Sequence, residues 1–268
     1  MRIAYFFLLL HLFFIRFFMN GRGFNLFENL PAVTKNLIII NVLFWIATLF
    51  MTKIDLTGLL GLHYPASKDF YLFQLITYMF MHASFAHIFF NMFAVYMFGR
   101  ILESTWGPKR FLTYYMITGI GAAVINLIVT YIRIKGIESG LEPEVIETVY
   151  REGLDIMKQS RQYTDPMLRQ LNVMINATTV GASGAVFGIL LAFGMLFPNM
   201  PLYVIPFPFP VKAKYLVIGY GAIELFAGVA NFSFDNIAHF AHLGGMLFGI
   251  IMVLYWKKKD RDNGRFLF

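Results

Sequence analysis

Six apolar stretches, separated by short clusters of charge, restrict this chain to a small set of folds. They occupy residues 36–51, 72–99, 110–132, 177–197, 213–231 and 236–256. A helix rises about 1.5 Å per residue and needs roughly 20 residues to cross an apolar layer about 30 Å thick. The stretches therefore predict an all-α membrane protein built as a bundle of six transmembrane helices, the short first one borrowing residues from its neighbours. Only 14% of the residues are charged and 58% are hydrophobic, where a soluble domain carries about a quarter charged. Cysteine is absent, which excludes disulfides and thiolate metal sites. The net charge of +7 does not call for nucleic acid, because most basic residues flank apolar stretches.

Lysine and arginine placement sets an orientation. Fourteen fall on one side, among them Arg100, Lys109, Arg110, Lys212, Lys214 and the run Lys257–Lys259; eight fall on the other. Six of those eight share one loop with seven acids. The bias predicts both termini in the cytoplasm. Residues 1–35 then form an N-terminal extension and cytoplasmic segment, 36–256 the membrane domain, and 257–268 a basic cytoplasmic tail. Residues 1–18 are apolar without a small-residue cleavage site, so an upstream extension with Met19 as the natural start is favoured over an interfacial helix. The outer loop 134–172 is the one sizeable polar segment, and Val145, Ile146, Val149, Leu154 and Met157 give it a short amphipathic helix lying near the outer surface.

Depth along the helices carries the chemistry. Ser183 stands 15 residues before Pro198, and His242 15 before Lys257, each about 22 Å from the cytoplasmic end. His87 stands 13 residues before Arg100, or about 20 Å. Three polar groups from three stretches thus share a level roughly 8–10 Å beneath the outer face. The lead-in to Ser183, Asn172 to Thr179, is partly polar, which is tolerated at membrane depth only where backbone lines water or packs in protein. Ser183 is therefore expected to begin a short helix, at its positive dipole end. A serine needs a neighbouring base, and His242 is the candidate. Gly184 and Gly188 on one helix, and Gly244, Gly245 and Gly249 on the other, would let two backbones approach closely. Phe187, one turn below Ser183, is placed to stack on the His242 ring and fix it without a carboxylate. His87 and Asn91 share a helical face at the height required of oxyanion donors, and the Ser183 N–H offers another.

The segments His87-Ile88-Phe89-Phe90-Asn91, Gly181-Ala182-Ser183-Gly184 and Ala241-His242-Leu243-Gly244-Gly245, with Gly249 after them, resemble the rhomboid intramembrane serine proteases. The resemblance covers residues 36–256. It implies a six-helix rhomboid-like bundle opened to the outside for water, a Ser183–His242 dyad, and oxyanion binding by His87 and Asn91, with Gly181, Phe187, Gly245 and Gly249 in support. Glu103, Gly107 and Arg110 resemble the family's cytoplasmic turn. Two departures stand out: the first outer loop, 52–73, lacks the tryptophan-arginine pair often seen there, and loop 134–172 exceeds the family's minimal form.

The implied activity is cleavage of transmembrane segments of other membrane proteins near the outer face, through an acyl-enzyme on Ser183. It needs no cofactor and no metal, and its partners are the lipid bilayer and transmembrane substrates. The compact form fits a bacterial inner membrane. A non-catalytic rhomboid-like protein that escorts membrane clients is the alternative, distinguished by loss of the serine or histidine. A transporter or a metal or haem protein using the six histidines is a third reading, but there is no His-Glu-x-x-His motif and no inverted repeat. Among the remaining polar residues, His239 lines the cavity or is idle, and His63 and His82 are expected at the interface. Glu224, an ionisable residue within an apolar stretch, is expected to hydrogen-bond between helices; the resemblance assigns it no catalytic part.

Overall fold

The computed structural model describes residues 30–51, 53–203, 209–230 and 236–263. The reading of residues 1–18 lies outside them. Eleven α-helices and one small hairpin are formed among the described residues: α1 (Ala32–Phe50), α2 (Leu56–Leu60), α3 (Gln74–Thr77), α4 (Phe85–Ala94), α5 (Arg100–Trp106), α6 (Pro108–Glu138), α7 (Pro143–Lys158), α8 (Pro166–Asn176), α9 (Ser183–Leu196), α10 (Ala213–Ala230) and α11 (Asn236–Asp262). A wider π turn, Val95–Gly99, joins α4 to α5 in one continuous rod. Strands β1 (Pro201–Tyr203) and β2 (Pro210–Lys212) pair antiparallel between α9 and α10.

Four of these helices are long and apolar enough to cross a membrane: α1, the α4–α5 rod, α6, and α11 from His239 onward. The 14 residues of α9 reach only about 21 Å. Large apolar side chains including Phe50, Phe90, Ile132, Ile218 and Ile251 face outward and are more than half exposed. So extensive an apolar exterior suits lipid and not water.

The sequence stretches and the helices differ in instructive ways. Residues 72–99 are not one span. A helical turn, α3, and a 3₁₀ turn, Tyr78–Phe80, precede a break, and α4 begins only at Phe85, where the Ser84 hydroxyl accepts from the His87 N–H at 3.2 Å. Side chains of this broken segment serve the loop before it: the Gln74 side-chain amide donates to Leu59 O and Asp69 O, and the Thr77 hydroxyl to Leu60 O. The third span is longer than 110–132 at both ends. Loop 134–172 holds two helices, α7 and α8, where one was expected, and they close on the end of α6 around buried Ile134, Val149, Leu171 and Ile175.

The turn residues Glu103, Gly107 and Arg110 have visible work. The buried Glu103 carboxylate accepts from the Val33 N–H at 2.9 Å and the Thr34 N–H at 2.7 Å, so a side chain of α5 satisfies the orphan donors that open α1. Gly107, at φ +79°, turns the chain between α5 and α6 where a side chain would be strained. Arg110 grips Asp260 through two bonds of 2.7 and 2.6 Å, tying the start of α6 to the end of α11.

Small residues then let α6, α9 and α11 meet in the centre. A Cβ on Gly184 would collide with Ala122, one on Gly188 would lie 2.7 Å from Thr118, and one on Gly245 would strike the Gly184 backbone.

Candidate active site

Helix α9 is short for a reason that serves the site. Its lead-in is extended, and Thr179 exchanges both backbone hydrogen bonds with Leu62 at 2.9 Å. The Gly181 N–H donates to Tyr78 O at 2.9 Å, and Gly181 adopts φ +125°. A Cβ there would sit 2.6 Å from His87 Nε2, so glycine is required both by the backbone angle and by the ring beside it. Ser183 follows as the first helical residue. The earliest intrahelical donor is Val186, which bonds to Ala182 O; the N–H groups ahead of it form the positive end of the helix around the serine.

The close approach of Gly245 to Gly184 brings α11 against this helix start, and the Ser183 hydroxyl lies 2.8 Å from His242 Nε2. Phe187 stacks on the His242 ring, with centroids 4.2 Å apart and planes 9° from parallel. The other ring nitrogen, Nδ1, lies 2.9 Å from Glu224 Oε2 on α10. The expectation that no carboxylate would partner His242 is therefore corrected. A carboxylate only accepts, so the proton of this bond resides on Nδ1, and Nε2 presents its lone pair to the serine. The same Oε2 takes the His239 Nδ1–H at 2.7 Å. His239 is thus bonded to Glu224 and is not a lining residue of the cavity.

His87 lies across the serine. Its Nδ1 faces the Ala83 N–H at 3.5 Å, and Nε2 is the ring atom beside Gly181. Asn91, one turn further along α4, is buried with its Nδ2 donor unpartnered, but it does not line the cavity. Gly249 lies a turn beyond Gly245 and admits the Tyr114 hydroxyl, a packing contact away from the serine.

Ser183, His242 and His87 open on one cavity of about 520 Å³. Its remaining walls include His63, Asn126, Thr130, Thr178 and Thr179, together with Val173, Met174 and Ala177 from the end of α8. His63 and His82 are not interfacial: both are buried. His63 Nε2 bonds to Gly58 O at 2.7 Å, and the His82 ring meets His87 edge-on at 5.0 Å. Asn126 reaches Thr179 Oγ1 with its amide at 3.3 Å and keeps an unpartnered Oδ1. The signal that could have found Glu224 was its charge within an apolar stretch. Nothing in its spacing indicated that it would face His242.

Glu224, His239 and His242 are also the one set of described residues that could hold a metal, their ligand atoms lying within 4.8 Å of one another. Two imidazoles and a carboxylate suit zinc chemically. The same atoms are joined by hydrogen bonds of 2.7 and 2.9 Å.

A serine at a helix start, bonded to a histidine of a second helix inside a bundle with an apolar exterior, defines an integral membrane protein with a buried serine–histidine site. The rhomboid domain matches residues 69–137 and 158–259, well over half of the chain, and the protein belongs to the rhomboid family. The unmatched interval holds nearly all of α7.

Three relatives place it further. It is 25% identical over 193 residues to rhomboid-like protein 11, chloroplastic, of Arabidopsis thaliana, covering 68% of this chain and 51% of that one. It is 26% identical over 179 residues to rhomboid protein 1, mitochondrial, of Saccharomyces cerevisiae, covering 67% and 40%. It is 27% identical over 191 residues to the rhomboid protein YdcA of Bacillus subtilis, covering 70% and 69%. The chain thus spans about half or less of the chloroplast and mitochondrial relatives. Organellar and bacterial membranes both house the family.

Proposed function

We propose that this protein is an intramembrane serine endopeptidase that cleaves transmembrane segments of other membrane proteins near their outer end. The observation that carries the reading is the 2.8 Å contact between the Ser183 hydroxyl and His242 Nε2 at the wall of a large cavity. One relative, from Bacillus subtilis, carries the word protease in its name.

In this mechanism the Ser183 proton passes to His242 Nε2 as Oγ bonds to the scissile carbonyl carbon. The oxygen that becomes negative is met by His87 Nε2–H and the N–H groups at the start of α9. His242 then protonates the leaving nitrogen, the C–N bond breaks, and an acyl-enzyme remains. Water, deprotonated by the same imidazole, releases the acid and restores the serine. A substrate helix must unwind locally to present its carbonyl, so small or helix-breaking residues near the cut are favoured. No metal or cofactor takes part. In this reading the α4–α5 rod, α1, α6, α9, α10 and α11 are the six crossings, and the excess of basic residues on one side supports termini in the cytoplasm.

The test is cleavage of a labelled transmembrane substrate by detergent-purified protein, comparing wild type with Ser183→Ala and His242→Ala. Cleavage should fall to background in both variants, and a fluorophosphonate probe should label the wild type at Ser183 alone. Equal cleavage by wild type and Ser183→Ala would refute the proposal, and an unlabelled, inactive wild type would favour a client-binding role instead.

A further inference from the structure

We infer that Glu224 is a positioning residue of this site: its carboxylate holds His242 in the one ring orientation and tautomer that can take the Ser183 proton. The inference rests on the proteolytic reading and adds a member that the resemblance does not assign. Three features of the geometry support it.

The first is what the aromatic stack leaves undone. Phe187 lies nearly parallel to the His242 ring, so it restrains the plane of the imidazole. A half-turn of the ring about its bond to Cβ keeps that plane, yet it carries the two nitrogens to the other edge of the ring. Stacking also has no influence on which nitrogen bears the proton. The Glu224 carboxylate acts on both, since it accepts an N–H only from Nδ1 and only in the observed orientation.

The second is the cost of the residue. A carboxylate in an apolar helix is retained where it has partners and a use, and Glu224 is 9% exposed with its Oε2 taken up by His239 and His242 together. The His239 bond anchors the carboxylate from the same helix that carries His242, one turn away, so the acceptor is held on both sides of the base.

The third is the charge that develops in the reaction. Once Nε2 takes the serine proton, the imidazolium carries a positive charge in surroundings of low polarity. The Nδ1–H bond to a negative carboxylate then strengthens, and it relaxes when the proton passes on to the leaving nitrogen. No proton moves onto Glu224, and no further reactant is needed.

A purely structural tie between α10 and α11 would be served nearly as well by glutamine, which is the same size and can accept through its side-chain carbonyl. Glutamine lacks the charge, and it can turn its NH₂ toward Nδ1, which would force the proton onto Nε2 and disable the base. Glu224→Gln is therefore the decisive variant, with Glu224→Asp as its conservative partner.

In steady-state cleavage of the transmembrane substrate, Glu224→Gln should lower kcat roughly 10²- to 10⁴-fold with KM changed less than about threefold. Fluorophosphonate labelling of Ser183 should slow in parallel, while the thermal unfolding midpoint in detergent changes little. Glu224→Asp should recover a large part of the lost kcat. A Glu224→Gln enzyme with wild-type kcat overturns the inference, and so does an aspartate variant no better than glutamine when both are folded. These results are distinct from failure of the proteolytic reading, in which wild type itself would cleave no faster than Ser183→Ala.

Discussion

Replacing Gly245 with alanine tests whether the seam between α9 and α11 sets the distance between nucleophile and base. A Cβ at position 245 would strike the Gly184 carbonyl oxygen and lie 2.7 Å from the carbon of that carbonyl. Ordinary contact begins at 3.4 Å, and the obstacle is backbone, which cannot rotate aside as a side chain can. Clearing the nearer carbonyl oxygen to that distance requires the helices to separate by about 1.5 Å. Gly184 adjoins Ser183, and Gly245 is one turn from His242, so nearly all of that displacement falls on the reacting pair. Their 2.8 Å bond would lengthen to about 4 Å, beyond useful hydrogen-bond length. Misplacement on this scale costs about 10²-fold in rate, and overpacking costs about 1–3 kcal/mol in stability. The assay is kcat for cleavage of a labelled transmembrane substrate, with thermal unfolding alongside. Gly136→Ala, in α6 where a Cβ meets nothing within 4 Å, is the control and should cleave as wild type. A Gly245→Ala enzyme with wild-type kcat would show that this seam does not set the serine–histidine distance.

Other outcomes follow from contacts already described. Gly181→Ala meets both a strained φ of +125° and the His87 ring, so kcat should drop by about 10²- to 10³-fold, as for loss of an oxyanion donor, with stability falling by about 1–3 kcal/mol. Glu103→Ala orphans the Val33 and Thr34 N–H groups at the start of α1; it should lower stability in detergent denaturation by about 2–4 kcal/mol while leaving activity per folded molecule near wild type. Tyr150 donates to Glu138 Oε1 at 2.7 Å, and burial, reinforced by that carboxylate, raises its pKa above the usual tyrosine value near 10. The folded state therefore holds this proton more tightly, so the stability it contributes is present below pH 10 and lost as pH rises further. Protection of α7 amides, taken relative to the intrinsic exchange rate at each pH, should fall above pH 10 in the wild type and fall less in Tyr150→Phe.

Much of the bundle could be read from its apolar stretches, and the start of α9 at Ser183 was legible because a polar lead-in at membrane depth cannot remain helical and unpartnered. Apolarity is silent on backbone shape, however. Residues 72–84 are as apolar as a span but form short turns, and their Gln74 and Thr77 side chains hold the preceding loop by donating to Leu59 O and Leu60 O. Polarity misleads in the opposite sense for α8: Asn172 and Asn176 look like loop residues, yet both are buried, one donating to Gly153 O and the other to the Asn172 side chain. His63 and His82 were expected at the interface because they lie towards one surface, but both are buried, His63 against Gly58 O and His82 against the His87 ring. Glu224 illustrates the limit of spacing arguments. Its charge marked it as unusual, but which helix face meets which is decided by packing between α10 and α11.

The cavity wall built by Val173, Met174 and Ala177 belongs to the segment that runs directly into the nucleophile. Roof and serine are thus links of one taut cord, fastened at Leu62 and again at Tyr78 before α9 begins. A displacement of this wall by a bulky guest would load the Leu62–Thr179 and Gly181–Tyr78 ties before it reached the hydroxyl just beyond them.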